Sequence, residues 1–206
     1  MHCPTTFREE RLEALHGLMR AYPLATLITA GSDGLVANLV PFSLHDGGER
    51  GILRAHLGRG NRQLDALREG AETLVVFQGP ESYVSPSWYP SKAEHGKVVP
   101  TWNFTVVQVR GEPRVIDDPD WIRAQVRQMT DNHESGREHP WQVADAPDDF
   151  ITALIAGIAG IEIPVLSIEG KWKASQNRAP ADRQGVIDGL KADGRCPGMV
   201  DWMERG

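Results

Sequence analysis

From Glu10 to Tyr22, Leu12, Leu15, Leu18 and Met19 recur at helical spacing between charged neighbours, which predicts an amphipathic helix closed by Pro23. The pattern then changes period. Leu24–Ala30, Leu35–Leu44 and Gly51–Leu57 are apolar runs separated by Gly-Ser-Asp-Gly (31–34) and Asp-Gly-Gly (46–48), both hairpin turn signals. Joins this short imply antiparallel pairing, because parallel neighbours need a crossover of roughly a dozen residues or more. Further strands are expected at Thr73–Gln78, Ser82–Trp88, Thr101–Arg110 and Pro113–Ile116, with a helix over Asn61–Glu69 between two of them. Many short antiparallel strands suggest a small barrel or sandwich.

The second half reads as more helical. Asp118 and Pro119 form an N-cap and first helical position ahead of Ile122, Val126 and Met129 on one face. Pro147-Asp148-Asp149 opens a helix carrying Phe150, Ile151, Leu154 and Ile158, and Asp131–Pro140 between the two reads as a polar loop. A strand at Gly160–Ile168, a segment Lys171–Arg178 and a helix from Pro180 to about Leu190 complete one α+β domain over 1–206.

Composition narrows the functional classes. The chain has 206 residues, 40% hydrophobic and 24% charged, which fits a folded globular protein. Lys plus Arg number 22 against 28 Asp plus Glu, a formal net charge of −6, so binding to a nucleic acid would need a local basic patch. Cys3 and Cys196 form no zinc-ligand spacing and fit a reduced, cytoplasmic setting. The first residues lack a signal-peptide pattern, and no apolar run approaches the roughly 18 residues of a membrane span.

Three segments carry candidate chemistry. In Arg54–Arg62, strand alternation puts Arg54 and His56 on one side. Gly58 and Gly60 then turn the chain into a helix that Asn61 can cap between Arg59 and Arg62. This is either a phosphate cradle or a capped helix with solvated arginines. Tyr83–Tyr89 and Pro100–Asn103 bracket a charged loop, Pro90–Val99. Flat aromatic walls beside hydroxyl and amide groups suit a planar heterocycle, but they suit a core or subunit interface as well. Lys171, Lys173 and Ser175 alternate onto one side of a donor-rich run ending at Arg178, which suits an oxygen-rich ligand or a solvated loop. Ser85, Ser87 and His95 lack a nucleophile elbow, and His133, Glu134, Glu138 and His139 match no standard metal spacing.

His56-x(4)-Asn61, Val75–Pro80, Tyr83-x-Ser85-x-Ser87-Trp88-Tyr89, Val99–Asn103 and Lys173-x-Ser175-Gln176-Asn177-Arg178, in this order, closely resemble the PaiB-like family of FMN-binding negative transcriptional regulators. The resemblance runs from Phe7 to about Leu190. It implies an antiparallel split β-barrel of the FMN-binding type with peripheral helices, acting as a homodimer with FMN between subunits. The phosphate is then expected near Arg54, His56, Arg59, Asn61 and Arg62, and the isoalloxazine edge near Gln78. Trp88 or Trp102 would wall the ring, Ser85 and Asn103 would also bind the cofactor, and Lys173, Ser175, Gln176 and Arg178 would add contacts at the subunit boundary. Regulation of transcription is the implied output, with nucleic acid as a partner class. A flavin-dependent oxidoreductase without direct DNA binding is the alternative.

Overall fold

The structure, a computed structural model, describes residues 1–32 and 34–205. Asp33, within the predicted 31–34 turn, lies outside them. The strands are β1 (Arg8–Glu9), β2 (Leu24–Gly31), β3 (Gly34–Pro41), β4 (Ser43–His45), β5 (Ile52–Gly58), β6 (Glu72–Val84), β7 (Thr101–Gly111), β8 (Arg114–Ile116) and β9 (Ile158–Lys173). The helices are α1 (Leu12–Ala21), α2 (Gln63–Arg68), α3 (Ser91–His95), α4 (Pro119–Glu134), α5 (Asp148–Ala156), α6 (Pro180–Asp193) and α7 (Pro197–Arg205). Strand order is β3-β2-β6-β7-β9-β5-β4, an open path, with β1 and β8 also pairing with β9.

Several expected boundaries move. The two strands read at Thr73–Gln78 and Ser82–Trp88 are one strand, β6, and Pro86–Trp88 is a 3-10 turn instead, because Ser85 Oγ accepts the Ser87 amide and Pro86 favours the turn. Leu35–Leu44 breaks at Phe42 into β3 and β4. Helix α4 runs on to Glu134 and so takes up the start of the expected 131–140 loop, and β9 extends to Lys173. Helix α2 covers only Gln63–Arg68, and Asn61 Oδ1 accepts the Gln63 amide at 2.9 Å.

The chain forms two compact units. The first comprises Met1–Tyr22, Phe77–Gln108 and Glu169–Gly206, and the second Pro23–Val76 and Val109–Ile168. In the first, Val84, Tyr89, Val186, Leu190, Met199 and Met203 form a buried cluster. Helix α7, absent from the sequence reading, supplies its last two members.

In the second unit the register Leu24↔Pro41, Thr26↔Leu39, Ile28↔Ala37 and Ala30↔Leu35 decides what each face of the β2–β3 hairpin carries. The opposite face buries Ala25, Leu27, Thr29 and Val40. There the fully buried Gln63 donates to the Leu27 carbonyl at 3.0 Å and accepts from Asn38 at 2.9 Å, tying α2 to the hairpin. The first face is apolar yet open: Leu35 and Leu39 are 78% and 68% exposed. A second cluster, Ile122, Val143, Ile151 and Ile155, packs α4 with α5.

Candidate functional site

In the second unit, the arginines expected at a phosphate already hold acids. Arg54 donates to Glu162 at 2.9 Å and lies 5.5 Å from the Trp121 ring centroid. Arg59 pairs with Asp117 and donates to the Ala156 carbonyl at 2.9 Å. Asp117 also takes Arg68, at 3.1 Å, and hydrogen bonds from Arg59 and then Arg68 hold its carboxyl below the ordinary range. His56 Nδ1 lies 3.0 Å from the Gln125 side-chain amide, within hydrogen-bond distance. Of this set only the exposed Arg62 has no acid partner among the described residues.

The first unit is charged differently. Alternation along the end of β9 buries Trp172 and sets Lys171 and Lys173 on the other side. Lys171 donates to the His2 carbonyl at 3.1 Å and sits 5.2 Å from the Phe104 ring centroid. Lys173 donates to Thr101 Oγ1 at 2.5 Å and to the Trp102 carbonyl. Arg178 lies 4.8 Å from the Tyr89 ring centroid. Among the described residues none of these three cations pairs with a carboxylate. Burial, and then repulsion from Lys171 and Arg178, pushes the Lys173 ammonium below its usual pKa.

The other predicted residues of this unit divide into structural and open ones. Asn103 Nδ2 donates to Ser175 Oγ at 3.0 Å, and the hydroxyl returns a bond of 3.1 Å; both residues are buried. Ser175 has φ 60, the sole non-glycine in that region among the described residues, and the paired side chains hold it there. Gln176 is engaged on both amide atoms: it accepts the Ala174 amide at 2.7 Å and donates to the Thr6 and Trp172 carbonyls. Gln78, by contrast, is exposed on β6, and Ser85 accepts the Ser87 amide.

Trp88 is placed by two absences of side chain. A Cβ on Gly189 of α6 would lie 2.4 Å from the Trp88 ring, and one on Gly185 would lie 2.1 Å from the Trp88 carbonyl oxygen. The indole therefore rests directly on the helix. Trp102 is 52% exposed and meets Tyr83 edge to face, with centroids 6.0 Å apart.

With this geometry in view, comparison with known proteins is decisive on family. Residues 1–167 match the family described as "Putative FMN-binding domain". The chain belongs to that FMN-binding family. It is 33% identical to an uncharacterized protein of Emericella nidulans, over 93% of this chain and 90% of that one. It is 26% identical to the protease synthase and sporulation protein PAI 2 of Bacillus subtilis, over 93% and 89%. The FAD and heme binding protein of Mycobacterium smegmatis superposes with a TM-score of 0.59 at 20% identity, covering 81% of this chain and 73% of that chain. The fold is therefore the α+β split barrel expected, and FMN is the cofactor.

The donor set fits such a group. Lys171, Lys173 and Arg178 offer positive charge that no acid among the described residues cancels, and the exposed indole of Trp102, a residue whose backbone carbonyl Lys173 holds, offers a flat apolar surface. Among the described residues no group of acidic, histidine and cysteine side chains could hold a metal ion, and no helix is long and apolar enough to cross a membrane.

Gly189→Ala should lower stability by about 1–3 kcal/mol through overpacking against Trp88, despite the better helix propensity of alanine. Urea denaturation measures the loss, and an unchanged midpoint would show that the indole can move aside freely.

Proposed function

We propose that this chain is a redox flavoprotein in which Lys173 and Arg178 grip the FMN phosphate and Trp102 walls the ring. The observation that carries this reading is that Lys171 and Lys173 at the end of β9, and Arg178 shortly after it, have no acid partner among the described residues. An arginine or lysine with spare donors binds a phosphate through charge-assisted bonds, whereas one already neutralised must first give up its carboxylate. For the 54–62 turn to serve instead, Arg62 would have to hold the phosphate alone or Arg59 would have to exchange Asp117 for it.

When bound, FMN supplies electron and hydride transfer chemistry. The chain's part is to orient the flavin and shield it. Lys173, anchored by Thr101 and the Trp102 carbonyl, fixes a positive charge at a set distance from the indole. The Asn103–Ser175 pair holds the backbone that carries Lys173 and Arg178 in register.

Homodimerisation belongs to the same proposal. The face of Leu24, Ile28, Ala30, Leu35, Ala37 and Leu39 is mostly apolar, with Thr26 within it and Glu72 of β6 opposite Ala30 at its margin, so an identical copy can match it patch for patch under twofold symmetry. A regulatory output in a reducing cytoplasm is the second reading. It is favoured by the resemblance to the PaiB-like regulators, by the similarity to a protein named for protease synthesis and sporulation, and by two free cysteines. At a net charge of −6, direct DNA binding would depend on a local patch, and binding equal on promoter and random duplex at physiological salt would reject it.

Absorbance titration of FMN tests the phosphate assignment. Lys173→Ala and Arg178→Ala should each weaken FMN at least about tenfold, the scale of one lost charge-assisted contact, while Asp117→Asn should leave affinity unchanged. Tighter binding in Asp117→Asn with intact binding in the other two would move the phosphate to Arg59.

The same titration should weaken as pH rises through the depressed Lys173 pKa, below the ordinary 10.5, because the charge that binds the phosphate is lost there. Phosphate binding favours the charged lysine, so FMN should bind with proton uptake in that window. Lys173→Arg should carry affinity on to higher pH; a profile identical to the parent's would exclude Lys173.

Leu39→Asp should convert a dimer to monomers in sedimentation velocity. A Leu39→Asp protein that stays dimeric would place the interface elsewhere.

A further inference from the structure

Within the first unit, a cavity of about 360 Å³ lies between α1 and α7. Helix α1 lines it with Ala14, Gly17 and Ala21, which share one helical face, and α7 with Gly198, Asp201 and Trp202; Tyr22, the residue that ends α1, completes it. Its size falls in the range of small-molecule sites, roughly 300–1,000 Å³. The cavity stands apart from the flavin reading, since none of these residues is assigned to FMN. Trp202 meets Trp172 edge to face, with centroids 5.3 Å apart, and alternation along β9 turns Trp172 away from the side that carries Lys171 and Lys173.

The two glycines indicate that this space is kept for something outside the chain. Gly17 lies inside α1, where glycine weakens a helix relative to alanine, yet its φ is not positive and a Cβ there would meet nothing within 4 Å. Neither the backbone nor packing within the chain calls for glycine at this position. A side chain would only take up room in the cavity. At Gly198 a Cβ would make ordinary contacts, 3.4 Å from Pro80 and 3.5 Å from the Tyr22 hydroxyl.

The rest of the lining defines the chemistry. Trp202 and Tyr22 supply aromatic surface, and Asp201 is the one charged side chain among the described residues that line the cavity. Aromatic faces beside a carboxylate attract a cation, and a quaternary ammonium suits them best because its charge is spread over methyl groups that give up little hydration. We propose that this cavity binds a small quaternary ammonium cation, with Trp202 and Tyr22 against its methyl groups and Asp201 balancing its charge.

Proton–nitrogen correlation spectra of the full chain test this, with the Trp202 indole signal identified by its loss in Trp202→Phe. Three probes of similar shape are titrated: choline as the cation, 3,3-dimethylbutanol as its neutral isostere and 3,3-dimethylbutanoate as the anion. Choline should shift the Trp202 signal saturably and bind at least about tenfold more tightly than the alcohol, and the anion should not bind. Asp201→Asn should bring choline down to the affinity of the alcohol. Gly17→Leu should fill the cavity and weaken both probes at least about tenfold, while its urea midpoint stays level or rises, which a glycine required by the fold would not allow. FMN uptake, read by visible absorbance, should be unchanged in both variants. Equal affinity for choline and the alcohol, a Trp202 signal that choline leaves unmoved, or undiminished choline binding in both variants would overturn the proposal. A chain that takes up no FMN would refute the flavin assignment while leaving the choline titration to decide the cavity.

Discussion

Backbone pairing along β9 is the constraint on which the candidate chemistry depends. Its first half is registered against β5, from Ile52↔Pro164 to Gly58↔Ile158, and against β8. Its end is registered against β1, with Arg8 opposite Lys171. Because side chains alternate with period two, a slip of one residue would bury Lys171 and Lys173 and turn Trp172 outward. The cost of burying two ammonium groups makes that slip prohibitive, so the same pairing that joins β9 to its neighbours also fixes where positive charge is displayed.

The two sets of basic side chains show why residue type alone does not locate an anion site. Arg54, Arg59 and Arg68 are spent on Glu162 and Asp117, and they serve to tie strand, helix and loop together within their unit. Lys171, Lys173 and Arg178 are spent on carbonyls, a hydroxyl and aromatic rings, which engage their donors without cancelling their charge. The two sets therefore differ in the formal charge of their partners rather than in the number of their contacts.

Much of the fold was legible in the sequence, since hydrophobic period and turn chemistry are local. The helix at 12–21, the hairpin of β2 and β3, the Asp118 cap and the strand at 101–111 follow from spacings within a dozen residues. Helix α7 also had a signal, with Pro197 at its start and Met199, Val200 and Met203 at helical intervals. The family resemblance on five ordered motifs was legible too, and FMN with it. The rest was not local. Nothing near Arg59 announces Asp117, and Glu162 lies 108 positions from Arg54. The buried role of Gln63, the internal engagement of Gln176 and the left-handed backbone of Ser175 arise from packing that no spacing encodes.

The glycines beneath Trp88 carry a consequence for how the first unit comes apart. Each costs α6 about 1 kcal/mol of intrinsic helicity relative to alanine, so this helix depends on its seat beneath the indole more than on its own preference. Helix and indole then open together as one cooperative patch, and amide hydrogen exchange in Pro180–Asp193 becomes a reporter of whatever touches Trp88.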